Sequence, residues 1–278
     1  MKLSFSQFIS ALLGVGRKKL GYLILLLVVT TLLNAQIVIY GDTRTHPDTH
    51  QKIVAEIVKH HPSIVSHTGD LNSRGLLQSE YDTFKEIISP LTQTAAFYPA
   101  RGNHEKNLKV FLHNFPQLQG SSYYTVDYDG IRFIVLDSVQ DLKPESAQYK
   151  WLAGLLDKRV PSILILHHPI FSSGEHGDKL GLQLYLPRLL DRKEVLAVFS
   201  GHDHDYERSI YKGVNYVVTG GGGAPLRNAK SHNIFSVKFV ETNHFIYAQR
   251  AGQVLKFTVY DLQGEILDSF EVSGFTKP

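Results

Sequence analysis

The chain has 278 residues, 43% hydrophobic, 20% charged and 11% aromatic, a globular balance with ample apolar material for a packed core and none of the signature of disorder. It has no cysteine, so disulfide scaffolds, cysteine-bound zinc, thiol nucleophiles and lipid-modified cysteine anchors are excluded, and any metal must be held by His, carboxylate or amide. Four of the 29 Lys and Arg and none of the 26 Asp and Glu lie in residues 1–35, so the formal charge of +3 becomes −1 beyond them and no basic stripe remains for a nucleic-acid backbone.

Residues 1–35 carry a basic cluster, Arg17-Lys18-Lys19, followed by the apolar run "LGYLILLLVVTTLL" from Leu20 to Leu33. That order is the order of a cleaved secretory signal, which predicts export to the periplasm or the cell exterior. The rival reading is an uncleaved membrane anchor. It is favoured by the length of the stretch before the basic cluster and by Leu33, a poor residue three before a cut after Ala35. In either case the membrane is met only through residues 1–35, and residues 36–278 form the working domain.

From Gln36 onward, short β-branched runs alternate with segments of helical period. "QIVIY" (36–40) predicts the first strand. Pro47 then opens a helix whose Ile53, Val54, Ile57 and Val58 lie on one face. "SIVSH" (63–67) predicts a strand, Phe84, Ile87 and Ile88 a second helix, and "AAFYPA" (95–100) and "IRFIVLD" (131–137) further strands. Trp151, Leu152, Leu155 and Leu156 mark another helix, ahead of "SILIL" (162–166), "VLAVF" (195–199) and "VNYVVTG" (214–220). Most of these runs are continuously apolar, as strands covered on both faces are. After about Asn233 the pattern turns to alternating strands, with Asp261 to Gly264 as a hairpin turn. His60 and His61 read as helix-end residues that complement the dipole. The glycine run 220–223 reads as a tight turn near the site edge rather than a nucleotide loop, because no Gly-Lys-Ser/Thr follows it.

The chemistry lies just past the apolar runs. They are followed by Gly41-Asp42, Gly69-Asp70, Gly102-Asn103-His104-Glu105, His167-His168 and Gly201-His202-Asp203-His204. Singly, a Gly-Asp after a strand reads as a turn and His167-His168 as a loop. Together, five strand ends carry ligand-type side chains, and the carboxyl ends of strands in α/β sheets face one crevice. His, Asp and Asn without sulfur suit divalent or trivalent ions of intermediate to hard character. So many ligands suggest two ions sharing a carboxylate, a device that stabilises both oxygens of an in-line phosphoryl displacement.

In this order, Gly41-Asp42, Gly69-Asp70, "GNHE", the paired His before Pro169 and "GHDH" resemble the metallophosphoesterase (calcineurin-like phosphoesterase) superfamily. "HHPIFSSGEHG" with "GHDHDYERS" is most similar to its purple acid phosphatase-like branch. The resemblance covers about Gln36 to Leu226. It implies an α/β fold, a four-layer α/β/β/α sandwich of two mixed sheets flanked by helices, with two metal ions (Fe, Mn or Zn) at the strand C-terminal edge. By the same resemblance Asp70 bridges the ions, Asp42 and His204 complete the protein ligands of the first, and Asn103, His167 and His202 hold the second. A hydroxide held between the metals is the implied nucleophile. His104 lies beside the scissile phosphate as electrostatic partner or proton donor, and His176 of "GEHG" faces the substrate.

Two positions depart from the family pattern. Arg44 stands where many members have His in Asp-x-His, and Ser73 where the purple enzymes have a tyrosine. Arginine has no lone pair to give a metal. The first ion is therefore one ligand short, with His46 or water to complete it, and Arg44 is expected to point into the cleft toward a phosphate oxygen. The expected function is dinuclear-metal hydrolysis of a small-molecule phosphate ester, monoester or diester, with no nucleic-acid partner. The alternative is a catalytically weak exported binding or interaction module that keeps the fold.

Overall fold

The computed structural model describes residues 36–274, so the leader and its two readings lie outside the described residues. The alternation of side chains along each strand builds the layers. Along β1 (Gln36–Tyr40), Ile37 and Ile39 face a core between two sheets, while Val38 and Tyr40 face helices on the other side. β6 (Ser162–Ile165) repeats this in the second sheet, with Ile163 and Ile165 turned inward and Leu164 turned outward.

The first sheet has the order β13-β12-β11-β1-β2-β3. In it β2 (Ile64–His67) and β3 (Ala96–Pro99) run parallel to β1, while β11 (His244–Ala251), β12 (Val254–Asp261) and β13 (Ile266–Ser273) extend it antiparallel. The second sheet has the order β10-β8-β9-β7-β6-β5-β4. Its parallel centre is β5 (Ile131–Val135), β6, β7 (Val195–Ser200) and β9 (Val214–Thr219). Antiparallel β4 (Tyr124–Tyr128), β8 (Tyr206–Tyr211) and β10 (Ser236–Val240) flank it.

Helices α1 (Pro47–Val58) and α2 (Gln78–Thr92) cover the first sheet through Ile53, Ile57, Phe84 and Ile88, with the short α3 (Leu108–Asn114) beside them through Phe111. The second sheet is covered by α4 (Ala147–Leu156) and α5 (Leu180–Leu190) through Leu152, Leu156, Leu182 and Leu186. The result is the expected four-layer α/β/β/α arrangement. Full burial of each of these aliphatic and aromatic side chains contributes roughly 1.5–3 kcal/mol. The predicted hairpin forms: Asp261 accepts the backbone N–H of Gly264, whose φ is 79°.

Some elements were not anticipated. β8 follows directly on "GHDH" and buries Glu207, whose charge hides the strand pattern. Helix α5 contains Pro187, which masks its period. His60 does lie at the helix end, its N–H on the Ile57 carbonyl at 3.0 Å, but the expected role of complementing the dipole is corrected. Its ring lies against Phe245, Tyr247 and Tyr260, and burial lowers its pKa, so it serves as an aromatic contact and not as a dipole-facing cation. Among the described residues no helix is long and apolar enough to cross a membrane.

Candidate metal centre

The parallel strands of both sheets deliver their C-terminal ends to one place. The first sheet sends Asp42 from β1, Asp70 from β2 and Asn103 from the loop after β3. The second sends His167 from β6, and His202 and His204 from β7. Asp42, Asp70 and His167 each offer a ligand atom within 4.8 Å of the other two. Three of the candidate ligands have left-handed backbone: Asp42 at φ 58°, Asp70 at 55° and His202 at 72°. Non-glycine residues pay for that conformation, and such strain collects at functional sites where the surroundings enforce it. The neighbouring glycines are needed for close approach. A Cβ on Gly102 would stand 2.2 Å from Asp70 Oδ1, and one on Gly201 2.0 Å from Asp42 Oδ2.

One half of the centre is a cluster of lone pairs. His167 Nδ1 bonds the Thr68 carbonyl oxygen at 3.0 Å, so in the neutral ring its Nε2 is bare. Around that Nε2 stand Asn103 Oδ1 at 2.8 Å, His202 Nδ1 at 3.2 Å and Asp70 Oδ1 at 3.3 Å. Burial holds the pKa of both His167 and His202 well below the ordinary histidine value, with the charge of His168 adding to it at His167 and that of His167 at His202. Asp70 Oδ1 also accepts the His104 backbone N–H at 3.0 Å, and a neutral His202 adds at most one further hydrogen among these four atoms, whereas a cation would engage a lone pair of each. Ligands about 2.0–2.2 Å from one ion stand about 3 Å from one another, the spacing seen here. These four residues fit a metal ion.

The other half differs. Asp42 accepts the backbone N–H of His202 on both carboxylate oxygens, at 3.1 and 3.0 Å, and Asp42 Oδ1 lies 3.7 Å from His204 Nε2. Burial, reinforced by the charge of Asp70, raises the Asp42 carboxyl well above its usual range. His204 Nδ1 is tied to the Pro225 carbonyl oxygen at 2.6 Å, which leaves Nε2 toward the centre, and burial lowers its pKa to about 3. Arg44 enters the same space. Its Nε lies 3.3 Å from Asp70 Oδ2 and its Nη2 3.4 Å from His204 Nε2. His46 has its Nδ1 on the Gly223 carbonyl oxygen at 3.1 Å. Ser73 is exposed and offers only its carbonyl, which holds the His104 ring.

The cleft residues surround this pair. His104 binds the Ser73 carbonyl through Nδ1, and its Nε2 is 3.8 Å from Asp70 Oδ2. His176 stacks obliquely on His202 with ring centroids 4.4 Å apart, and its Nε2 accepts from Arg227.

Sequence reasoning assigned no supporting role to several residues that the structure gives one. Arg227 has no local signal, since only the loop after β9 brings it to His176 and Glu175. His168 sits against His202 at 4.6 Å between ring centroids with Nδ1 on Ser138 Oγ. Fully buried Glu105 accepts the backbone N–H groups of Asp70, Asn72 and Gly102 and so ties two strand exits together. Burial and the Asp70 charge push its carboxyl up to about 8. The glycine run packs on the site from behind, Gly222 N–H donating to the Gly41 carbonyl.

Residues 35–206 match the family described as "Calcineurin-like phosphoesterase". The chain is 31% identical over 187 residues to "Probable purple acid phosphatase 20" of Arabidopsis thaliana, covering 56% of this chain and 44% of that protein. It spans about half the length, or less, of the plant phosphatases it matches first. Its fold is similar to that of a purple acid phosphatase from yellow lupin (Lupinus luteus) seeds, with a TM-score of 0.75 at 21% identity over 86% of this chain and 54% of that one. It is also similar to a protein described as the anchor in the inner membrane complex of Plasmodium, with a TM-score of 0.70 at 16% identity over 88% and 90% of the two chains.

Proposed function

This chain belongs to the calcineurin-like phosphoesterase family, and from that premise we propose that it hydrolyses small phosphate esters outside the cytoplasm, using metal held where the two sheets meet. The observation that carries the proposal is the knot of facing lone pairs at Asp70, Asn103, His167 and His202, whose spacing suits a cation. Fe, Mn or Zn is compatible with such nitrogen and oxygen donors. The leader's basic and apolar order is the basis for export.

Bound metal would supply Lewis acidity toward a phosphoryl oxygen and toward water. The protein residues do the rest. Asp70, its backbone held by Glu105, offers one oxygen to each half of the centre. The Thr68 and Pro225 carbonyls fix the tautomers of His167 and His204, so that each presents Nε2. His104, anchored through Nδ1, keeps Nε2 toward the centre, from which it can pass a proton to the leaving oxygen. Arg227 and His176 line the approach with N–H donors suited to an anionic ester.

The test is a panel of phosphomonoesters and phosphodiesters assayed with Mn, Zn and Fe added to metal-stripped protein. Metal-dependent turnover of at least one ester class is expected. A second reading, an exported binding module that keeps the fold, is favoured by Arg44 lying in one half of the centre. Metal uptake without turnover on any ester would favour that reading.

A further inference from the structure

Resting on the metal-centre reading above, we propose that the Arg44 guanidinium is a built-in cation filling one of the two metal positions. The protein then takes one ion tightly at Asp70, Asn103, His167 and His202, and a second only by displacing Arg44. The two halves of the site differ in where their hydrogens come from. Around His167 Nε2, lone pairs face lone pairs. Around Asp42, Asp70 Oδ2 and His204 Nε2, the acceptors already face a guanidinium, at 3.3 Å from Asp70 and 3.4 Å from His204. Two fully buried carboxylates, Asp42 and Asp70, need compensating positive charge, and Arg44 provides one permanent unit of it.

The chain path holds Arg44 there. The backbone N–H groups of Thr43 and Arg44 both donate to the Asp70 carbonyl, at 3.1 and 3.3 Å, and Asp42 N–H donates to the Gly69 carbonyl at 3.0 Å. The segment after β1 is thereby laced to the segment after β2, and the Arg44 side chain, 15% exposed, emerges over the Asp70 carboxylate. Its Nε is buried within ion-pair distance of Asp70 but out of line for a hydrogen bond, a charge placed for field rather than for a directed bond. The Ser73 carbonyl is taken by His104, and His46 has its Nδ1 on the Gly223 carbonyl oxygen. A divalent ion entering here meets a like charge a few ångströms away in a partly dry site, where such repulsion is strong.

The experiment is a calorimetric titration of metal-stripped wild type, Arg44→His and Arg44→Ala with Mn2+ and Zn2+, with metal content counted after desalting and thermal melts to confirm folding. Wild type should retain one ion per chain and bind a second at least about 100-fold more weakly. Arg44→His, which supplies a lone pair in place of a charge, should retain two. Arg44→Ala, which only removes the competitor, should tighten the second ion, so the inference stays testable if the histidine variant fails to fold. Two ions of similar affinity in wild type, or a second-ion affinity unmoved by either substitution, would overturn the inference and leave the metal centre standing. Failure of every form to retain any ion would overturn the metal centre itself.

Discussion

At the scale of the residue, the decisive features are ring nitrogens with one side already committed. His104 gives Nδ1 to the Ser73 carbonyl, so Nε2 is the atom that gains and loses the proton, and that atom faces the cleft 3.8 Å from Asp70. His104→Ala should therefore keep bound metal and lose about 10²- to 10⁴-fold in rate on alkyl phosphates, whose leaving oxygens need a proton. The loss should be much smaller for p-nitrophenyl phosphate. Comparing kcat on the two esters checks this, and equal losses would remove the proton-donor role. The residue types of this centre were legible in the sequence because Asp, Asn and His follow apolar runs directly. The tautomers were not, since they depend on the Thr68 and Pro225 carbonyls, which pair with rings 99 and 21 residues away in the chain.

At the scale of the element, the strand exits do the positioning, and most of them could be read in advance. Continuous apolar runs mark β1, β6 and β7 because both faces of these strands are covered. The pattern failed where burial is polar. β8 carries Glu207, which accepts from the Ser173 backbone and hydroxyl, so a charged residue sits fully buried in a strand. Arg44 could be recognised from sequence as a departure and was expected to point into the cleft toward a phosphate oxygen, but its pairing with Asp70 and His204 could not be read there. Whether it reaches toward a substrate or toward Asp70 depends on how the exits of β1 and β2 are laced together.

At the scale of the whole molecule, burial of neutral histidines away from the centre sets an acid limit on stability. Burial lowers His50 to about 3 and His244 to about 4, against 6.5 in an unfolded chain. Between those values the unfolded chain binds protons that the folded chain refuses. The stability each group contributes is thus complete above about pH 6.5 and is lost as pH falls through the window toward 4 and then 3. The slope is at most about 1.4 kcal/mol per pH unit for each histidine. Urea unfolding of the metal-free protein across this window should show stability falling with acid, and His50→Gln should flatten that fall. An unchanged slope in the variant would contradict the assignment.

Among the described residues, Asp70 offers an oxygen to each half of the centre, Oδ1 toward His167 and Oδ2 toward Arg44. The most direct measurement is metal content and phosphate-ester turnover of Asp70→Ala beside wild type, with matching melts to show that both are folded. The account predicts that the variant loses its tightly bound metal and nearly all turnover together. A folded Asp70→Ala protein that keeps the metal content and the rate of wild type would contradict it.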